Sequence, residues 1–271
     1  MSTQTFERYA KQAGVPIITR YRPSGVHSWE YWQFEMAQAW PFIAESLNIP
    51  EGDRGAQCNP VGAINEATKS GVIGSCVNNE YDVAGGRGKA QEFRSGSAFW
   101  SPETGAHVLI GAILAKYNAL GGPAGWLGFP KTSELTTPDG KGRYVHFERG
   151  SVYWTPETGA QAIPGDMFAA WGKGGYEGGP LGYPVAEAEA VGAGYVQKFQ
   201  NGYLTRNPEG VGEGHYQVFG AIGAKYAEMG TARSDLGYPT SNEKKINGGF
   251  FQEFEHGNIY WSPESGAHAI Y

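Results

Sequence analysis

The chain has 271 residues, 40% of them hydrophobic and 14% aromatic, with 42 glycines and a formal charge of −6. That length supports one large domain or two small ones, and the glycine and aromatic content favours short strands and many turns over a helical bundle. No cluster of Lys and Arg would neutralise a run of phosphates, which argues against nucleic acid and an anionic membrane surface as partners, and no stretch reaches the roughly 18 apolar residues of a membrane helix.

The chain opens on "MSTQTFERYA", which lacks the basic-then-apolar pattern of a secretory signal. The text from 6 to 47, and most specifically "GVHSWEYW" at 25–32, resembles the last helix, last strand, histidine loop and closing helix of a mycolyltransferase, an α/β-hydrolase. The resemblance implies that His27 stands where that family has its triad base. A triad histidine needs a serine to deprotonate and a carboxylate to orient it, and the serine of a hydrolase elbow normally lies upstream in G-x-S-x-G. Only 26 residues precede His27, and no such motif occurs in the chain. The expectation is therefore no catalysis by this chain as it stands, with residues 1–50 a C-terminal remnant of an α/β-hydrolase domain. Its strand "VPIITRY" (15–21) and its aromatic run, including Trp29, Trp32 and Trp40, would need cover from the repeats or another chain, which predicts self-association or a mobile N-terminus.

Two cysteines follow, Cys58 and Cys76, with no CxxC or Cys/His spacing to suggest zinc. The favoured reading is a disulfide, which would close a loop of about 19 residues and contribute about 3 kcal/mol in the chain-entropy model; two buried free thiols are the alternative. An oxidising compartment outside the cell would favour the bond.

From there the chain repeats. An aromatic followed three residues later by glycine ends at Gly96, Gly150, Gly202 and Gly257, at intervals of 54, 52 and 55 residues. "LGFP" at 127–130 and "LGYP" at 181–184 and 236–239 keep the same period, with "IGSC" at 73–76 as a degenerate first copy. Two landmarks with one spacing mark a supersecondary repeat. Each unit reads as a short helix ("GAILAKYNALGG", 111–122), a rigid turn at the tetrapeptide and a three-stranded meander such as "GGFFQEFEHGNIYWSP" with "GAHAI". The fold class is α+β, with about four units over 55–271. A closed, propeller-like arrangement is favoured over an open solenoid, because no polar capping repeat is evident. The tetrapeptide at this period, followed by text of the "YWSPETGAH" type, resembles the LGFP repeat family of cell-envelope proteins. The resemblance implies secretion, attachment to the wall of mycolic-acid-containing bacteria, and affinity for wall polysaccharide, with arabinogalactan as the ligand. A mycolyltransferase joined to such repeats is an arrangement the two resemblances share.

Candidate binding residues come from the repeated words "AFWSPETGAH", "VYWTPETGAQ" and "IYWSPESGAH". In a strand, neighbours face opposite ways, so of Phe99 and Trp100, Tyr153 and Trp154, and Tyr260 and Trp261, one of each pair should face outward. An outward ring offers a flat apolar face to sugar C–H groups, with His107, Gln161, His268, Glu103, Glu157 and Glu264 placed to take hydroxyls. The plainer reading is that the rings pack between units and the Pro-Glu turn only turns. The third copy, "YLTRNPEGVGEGH" (203–215), has lost these residues, so a site there should be weak or absent. Histidines occur singly, so neither a metal nor a cofactor is expected, and Glu187 with Glu189 reads as a solvated face before a glycosidase pair.

Overall fold

The computed structural model describes residues 3–15, 29–49, 58–211 and 214–271. Helices α1 (Thr3–Gln12) and α2 (Trp29–Ser46) occupy the two N-terminal segments where helices were expected. The expected strand at 15–21 lies, from residue 16 onward, outside the described residues, as does His27. Two helices alone do not define a hydrolase remnant.

The repeats begin with α3 (Gly62–Thr68), followed by a sheet of β1 (Tyr81–Val83), β2 (Gly88–Phe93), β3 (Gly96–Ser101) and β4 (Gly105–Ile110). Helix α4 (Gly111–Ala119) leads to β5 (Leu135–Thr136), β6 (Arg143–His146), β7 (Gly150–Thr155) and β8 (Gly159–Pro164). Helix α5 (Gly165–Lys173) leads to β9 (Glu189–Val191), β10 (Gly194–Phe199), β11 (Gly202–Arg206) and β12 (His215–Phe219). Helix α6 (Gly220–Met229) leads to β13 (Lys244–Ile246), β14 (Gly249–Phe254), β15 (Gly257–Ser262) and β16 (Gly266–Ile270).

Each sheet is an antiparallel meander of four strands in sequence order. This corrects the three-stranded unit read from sequence: the extra strand is the short one after each tetrapeptide, two or three residues long, too short to show an alternating pattern. The closed, propeller-like form is corrected as well, because the sheets are not closed. Helix α4 packs on β3 and β4 behind it and on β7 and β8 ahead; α5 and α6 join the next sheets in the same way. Burial is thus shared between consecutive units, the arrangement of a serial array.

A polar end is also present. Helix α3 superposes in sequence on α4, with Ile64 buried as Ile113 is, but carries Asn65 and Thr68 where α4 has Leu114 and Tyr117. Thr68 turns its hydroxyl back to the Ile64 carbonyl at 2.9 Å, and Glu66 pairs with Lys69 at 2.6 Å. Beside it, Cys58 and Cys76 form the disulfide, with Cα atoms 5.9 Å apart.

The two landmarks that revealed the period are bonded to each other. The backbone of Leu127 and Phe129 accepts from Arg149 and Glu148 at the tip of the β6–β7 hairpin, at 3.1 and 3.0 Å, and Pro130 bridges to Phe147. The same pattern recurs at Leu181 and Tyr183, and at Leu236 and Tyr238. The glycine between takes a φ of 72°, 68° or 74°, a region open to glycine at little cost. That turn lets the leucine sink into its own unit while the next aromatic reaches back into the previous one. Leu127, Leu181 and Leu236 are fully buried. Phe129 fits against Gly88, where a Cβ would collide with its ring, and Tyr238 donates its hydroxyl to the Val191 carbonyl at 2.7 Å. The tetrapeptide is therefore a clasp between units.

Candidate functional site

The repeated aromatic pairs divide by unit. Phe99 and Tyr153 are only 5% and 4% exposed. The helix that follows each sheet covers them: Phe99 meets Tyr117 edge-on at 5.1 Å, and Tyr153 meets Trp171 at 4.9 Å. Their neighbours Trp100, Trp154 and Trp261 are half-buried, each lying against a core cluster. Tyr260 is half-buried as well, stacked between Phe251 at 5.4 Å and His268 at 6.3 Å. Phe251, Tyr260 and His268 are paired across β14, β15 and β16, and Lys244 on β13 sits over Phe251 at 5.6 Å. The result is a row of rings across one sheet, with the His268 imidazole exposed at its edge.

The polar candidates divide too. In each turn a hydroxyl on the last strand residue accepts the N–H three residues on: Ser101 from Thr104 at 3.1 Å, Thr155 from Thr158 at 3.0 Å and Ser262 from Ser265 at 3.1 Å. His107 lies with Nε2 2.8 Å from the Thr104 carbonyl, and Gln161 donates to the Thr158 carbonyl at 2.9 Å. Both side chains brace the turn. Glu103, Glu157 and Glu264 stand exposed at its tip. In the third unit Thr205 and Arg206 hold the positions of the aromatic pair; Arg206 lies 4.1 Å over Tyr195 and pairs with Asp166 at 3.1 Å. Arg206, the Met167 N–H and His215 together outweigh the desolvation that would raise Asp166, and hold its carboxyl below the usual range. Glu187 and Glu189 each have a separate cationic partner, Lys116 and Arg233, so they do not face a common centre.

One recess was missed in the sequence. A cleft of about 340 Å³ opens between the second sheet and α5, lined by Lys131, Thr132, His146, Glu148, Ser151 and Phe168 among others. His146 is anchored twice: its Nδ1 lies 2.8 Å from Ser151 Oγ, and its backbone N–H donates to Thr132 Oγ1 at 3.1 Å. Its ring meets Phe168 at 5.1 Å and Tyr144 at 5.0 Å. Burial, then the nearby Lys131 ammonium, pushes the imidazole below its ordinary pKa, which favours the neutral ring at pH 7. The signal was departure from the repeat: Glu92, Lys198 and Glu253 stand at the place of His146, and Leu114 and Gly223 at the place of Phe168.

Among the described residues no group of three His, Cys, Asp or Glu side chains is placed to hold a metal ion. No helix among them is long and apolar enough to cross a membrane. Comparison with known protein families matches the LGFP repeat at residues 73–125, 127–179, 181–234 and 236–271, which is most of the chain. Comparison with curated proteins gives no match.

Proposed function

Because the chain belongs to the LGFP repeat family, a repeat module of cell-surface proteins that is noncatalytic by itself, we propose that it binds cell-wall polysaccharide, with arabinogalactan as the ligand. In this reading residues 55–271 are the binding domain and 1–50 the tail of a mycolyltransferase domain, which the repeats hold near its acceptor. His27 would act only in that enzyme. The Cys58–Cys76 disulfide fits an oxidising, extracellular setting.

The observation that carries the proposal is the ring row Phe251, Tyr260 and His268, stacked side by side across the last sheet into a ridge of ring edges that ends in the exposed His268 imidazole. Such a ridge offers apolar surface to the C–H groups of a sugar, and the polar tips along it take the hydroxyls. Trp100 and Trp154 add half-buried indoles in the first two sheets, and Trp261 one on the same strand as Tyr260. Several weak sites on one array gain avidity on a repeating polymer.

The test is retention of the chain on insoluble arabinogalactan, with cellulose and chitin as controls. Tyr260→Ala and Trp154→Ala are expected to weaken retention several-fold while the circular dichroism spectrum is unchanged. Equal retention on all three polymers removes the specificity. A second reading, a structural or protein-interaction domain with no glycan site, is favoured by the burial of Phe99 and Tyr153 beneath the following helices. It predicts that neither substitution changes retention.

A further inference from the structure

The cleft beside α5 differs in charge from the rest of the molecule. The chain carries −6 overall, yet the lip of this recess holds two cations with no carboxylate partner among the described residues. Lys131 is exposed and makes no side-chain hydrogen bond or ion pair there. Arg149 spends its Nε and Nη2 on the carbonyls of Trp126 and Gly125, which fixes the guanidinium without neutralising it. The one acid in the lining, Glu148, is committed: Oε1 pairs with Arg87 at 2.9 Å and Oε2 accepts the Phe129 N–H at 3.0 Å. On α5, Asp166 is turned to Arg206 and His215 in the next unit.

The interior supplies a different chemistry. Phe168 is half-buried, packed against His146, Tyr153, Trp171 and Tyr176, and gives the cleft the part of its ring they leave uncovered, while His146 Nε2 has no hydrogen-bond partner among the described residues. Its Nδ1 is tied to Ser151, so the imidazole is held in place with one nitrogen free. A neutral imidazole of this kind donates or accepts, as a sugar hydroxyl requires. The volume lies at the small end of ligand sites, enough for a short saccharide unit and too small for a folded partner.

We propose that this cleft is a subsite for a sugar bearing an oxyanion, a phosphate or carboxylate held by Lys131 and Arg149, with the sugar ring on Phe168 and a hydroxyl on His146. The proposal rests on the polysaccharide-binding reading and adds to it an acidic substituent that the ring row on the last sheet is not built to select, since its cation Lys244 is already paired with Glu253 at 2.7 Å. A cation of this lining that meets an oxyanion makes a charge-assisted hydrogen bond, stronger than one to a neutral hydroxyl. The site also belongs to one unit: the third unit has Val185 for Lys131 and Gly223 for Phe168.

The experiment titrates the full chain with glucose 6-phosphate, glucuronate, glucose and inorganic phosphate, following the His146 ring and Phe168 resonances by NMR. Either acidic sugar is expected to bind at least tenfold more tightly than glucose or inorganic phosphate, and their ratio tells phosphate from carboxylate. Lys131→Glu should abolish that preference, and Phe168→Leu should bring the sugar phosphate down to the affinity of inorganic phosphate. Equal binding of glucose and the acidic sugars, or an unchanged preference in Lys131→Glu, overturns the proposal. If Lys131→Glu leaves the preference intact while the chain is still retained on arabinogalactan, the subsite falls and the wider reading stands. If the acidic sugars shift His146 but the chain is retained on no polysaccharide, the subsite is supported and the wider reading falls.

Discussion

The hydroxyl of Tyr117 donates to the carbonyl oxygen of Gly128 at 2.7 Å, and Tyr226 makes the same bond to Gly237 at 3.1 Å. Each bond runs from a helix to the turn that opens the next sheet, eleven residues on. Both tyrosines are fully buried, and burial pushes their hydroxyls well above the ordinary range, so they remain donors at any working pH. At the junction between these two, on α5, Trp171 fills the volume, and its Nε1 has no hydrogen-bond partner among the described residues.

Removing that hydroxyl leaves a buried carbonyl without its donor. Tyr117→Phe is expected to lower unfolding stability by about 1–3 kcal/mol, the desolvation cost of an orphaned acceptor, with ring packing against Phe99 and Phe147 kept. Tyr226→Phe should cost a similar amount. Urea unfolding midpoints at constant slope measure both; a change below about 0.5 kcal/mol in each would show that the bond does not hold the junction.

The glycine of the tetrapeptide offers a second check. At Gly128 the positive φ alone disfavours any other residue by about 1 kcal/mol, and a Cβ would collide with the Glu148 side chain. Gly128→Ala should therefore also break the bond from the Phe129 N–H to Glu148, for a total of about 2–4 kcal/mol. Glu148→Gln is expected to be nearly neutral, because Gln200 accepts the Tyr183 N–H at 2.9 Å in the equivalent place. Glu148→Ala should be costly. Similar midpoints for the alanine and glutamine variants would contradict the clasp.

The disulfide joins the segment just before α3 to the first tetrapeptide, at one end of a serial array. Reduction should cost about 3 kcal/mol on the chain-entropy account. Because each unit leans only on its neighbours, the loss is expected to be concentrated in the first sheet. Hydrogen exchange under reducing conditions should quicken at Ala90 and Ala98 more than at Leu204 or Ile259. Uniform acceleration along the chain would indicate one cooperative body.

What the sequence made legible follows from what the repeat must do. The period showed because Leu127 and the turn at Arg149 are bonded partners, and each unit has to repeat both to close its own hairpin. The fourth strand was hidden because Leu135–Thr136 and its equivalents are too short to display a period of two. Strand alternation placed Phe99 and Tyr153 opposite their tryptophans, but it could not say that a helix from the next unit lies over them; that depends on packing between units. The cleft escaped notice for the opposite reason, since His146 and Phe168 depart from the pattern and a repeat-based reading looks for what recurs.

The imidazole of His146 ties that cleft to pH. Its pKa is depressed in the folded chain, by burial first and by Lys131 second. In the unfolded chain it returns to about 6.5. Between those two values the unfolded state binds more protons than the folded one, so stability falls with acidification. The contribution is fully present above about 6.5 and is lost as pH drops toward the folded value. Acidic groups that could reverse the sign are engaged elsewhere: Glu148 is held by Arg87 and the Phe129 N–H, and Asp166 by Arg206 and His215. His146→Gln can keep a hydrogen bond to Ser151 but does not titrate, so its stability between pH 7.5 and 5.5 should fall less steeply than that of the native chain. Parallel curves would mean that the ring is as well solvated folded as unfolded, and would remove the case for a desolvated cleft.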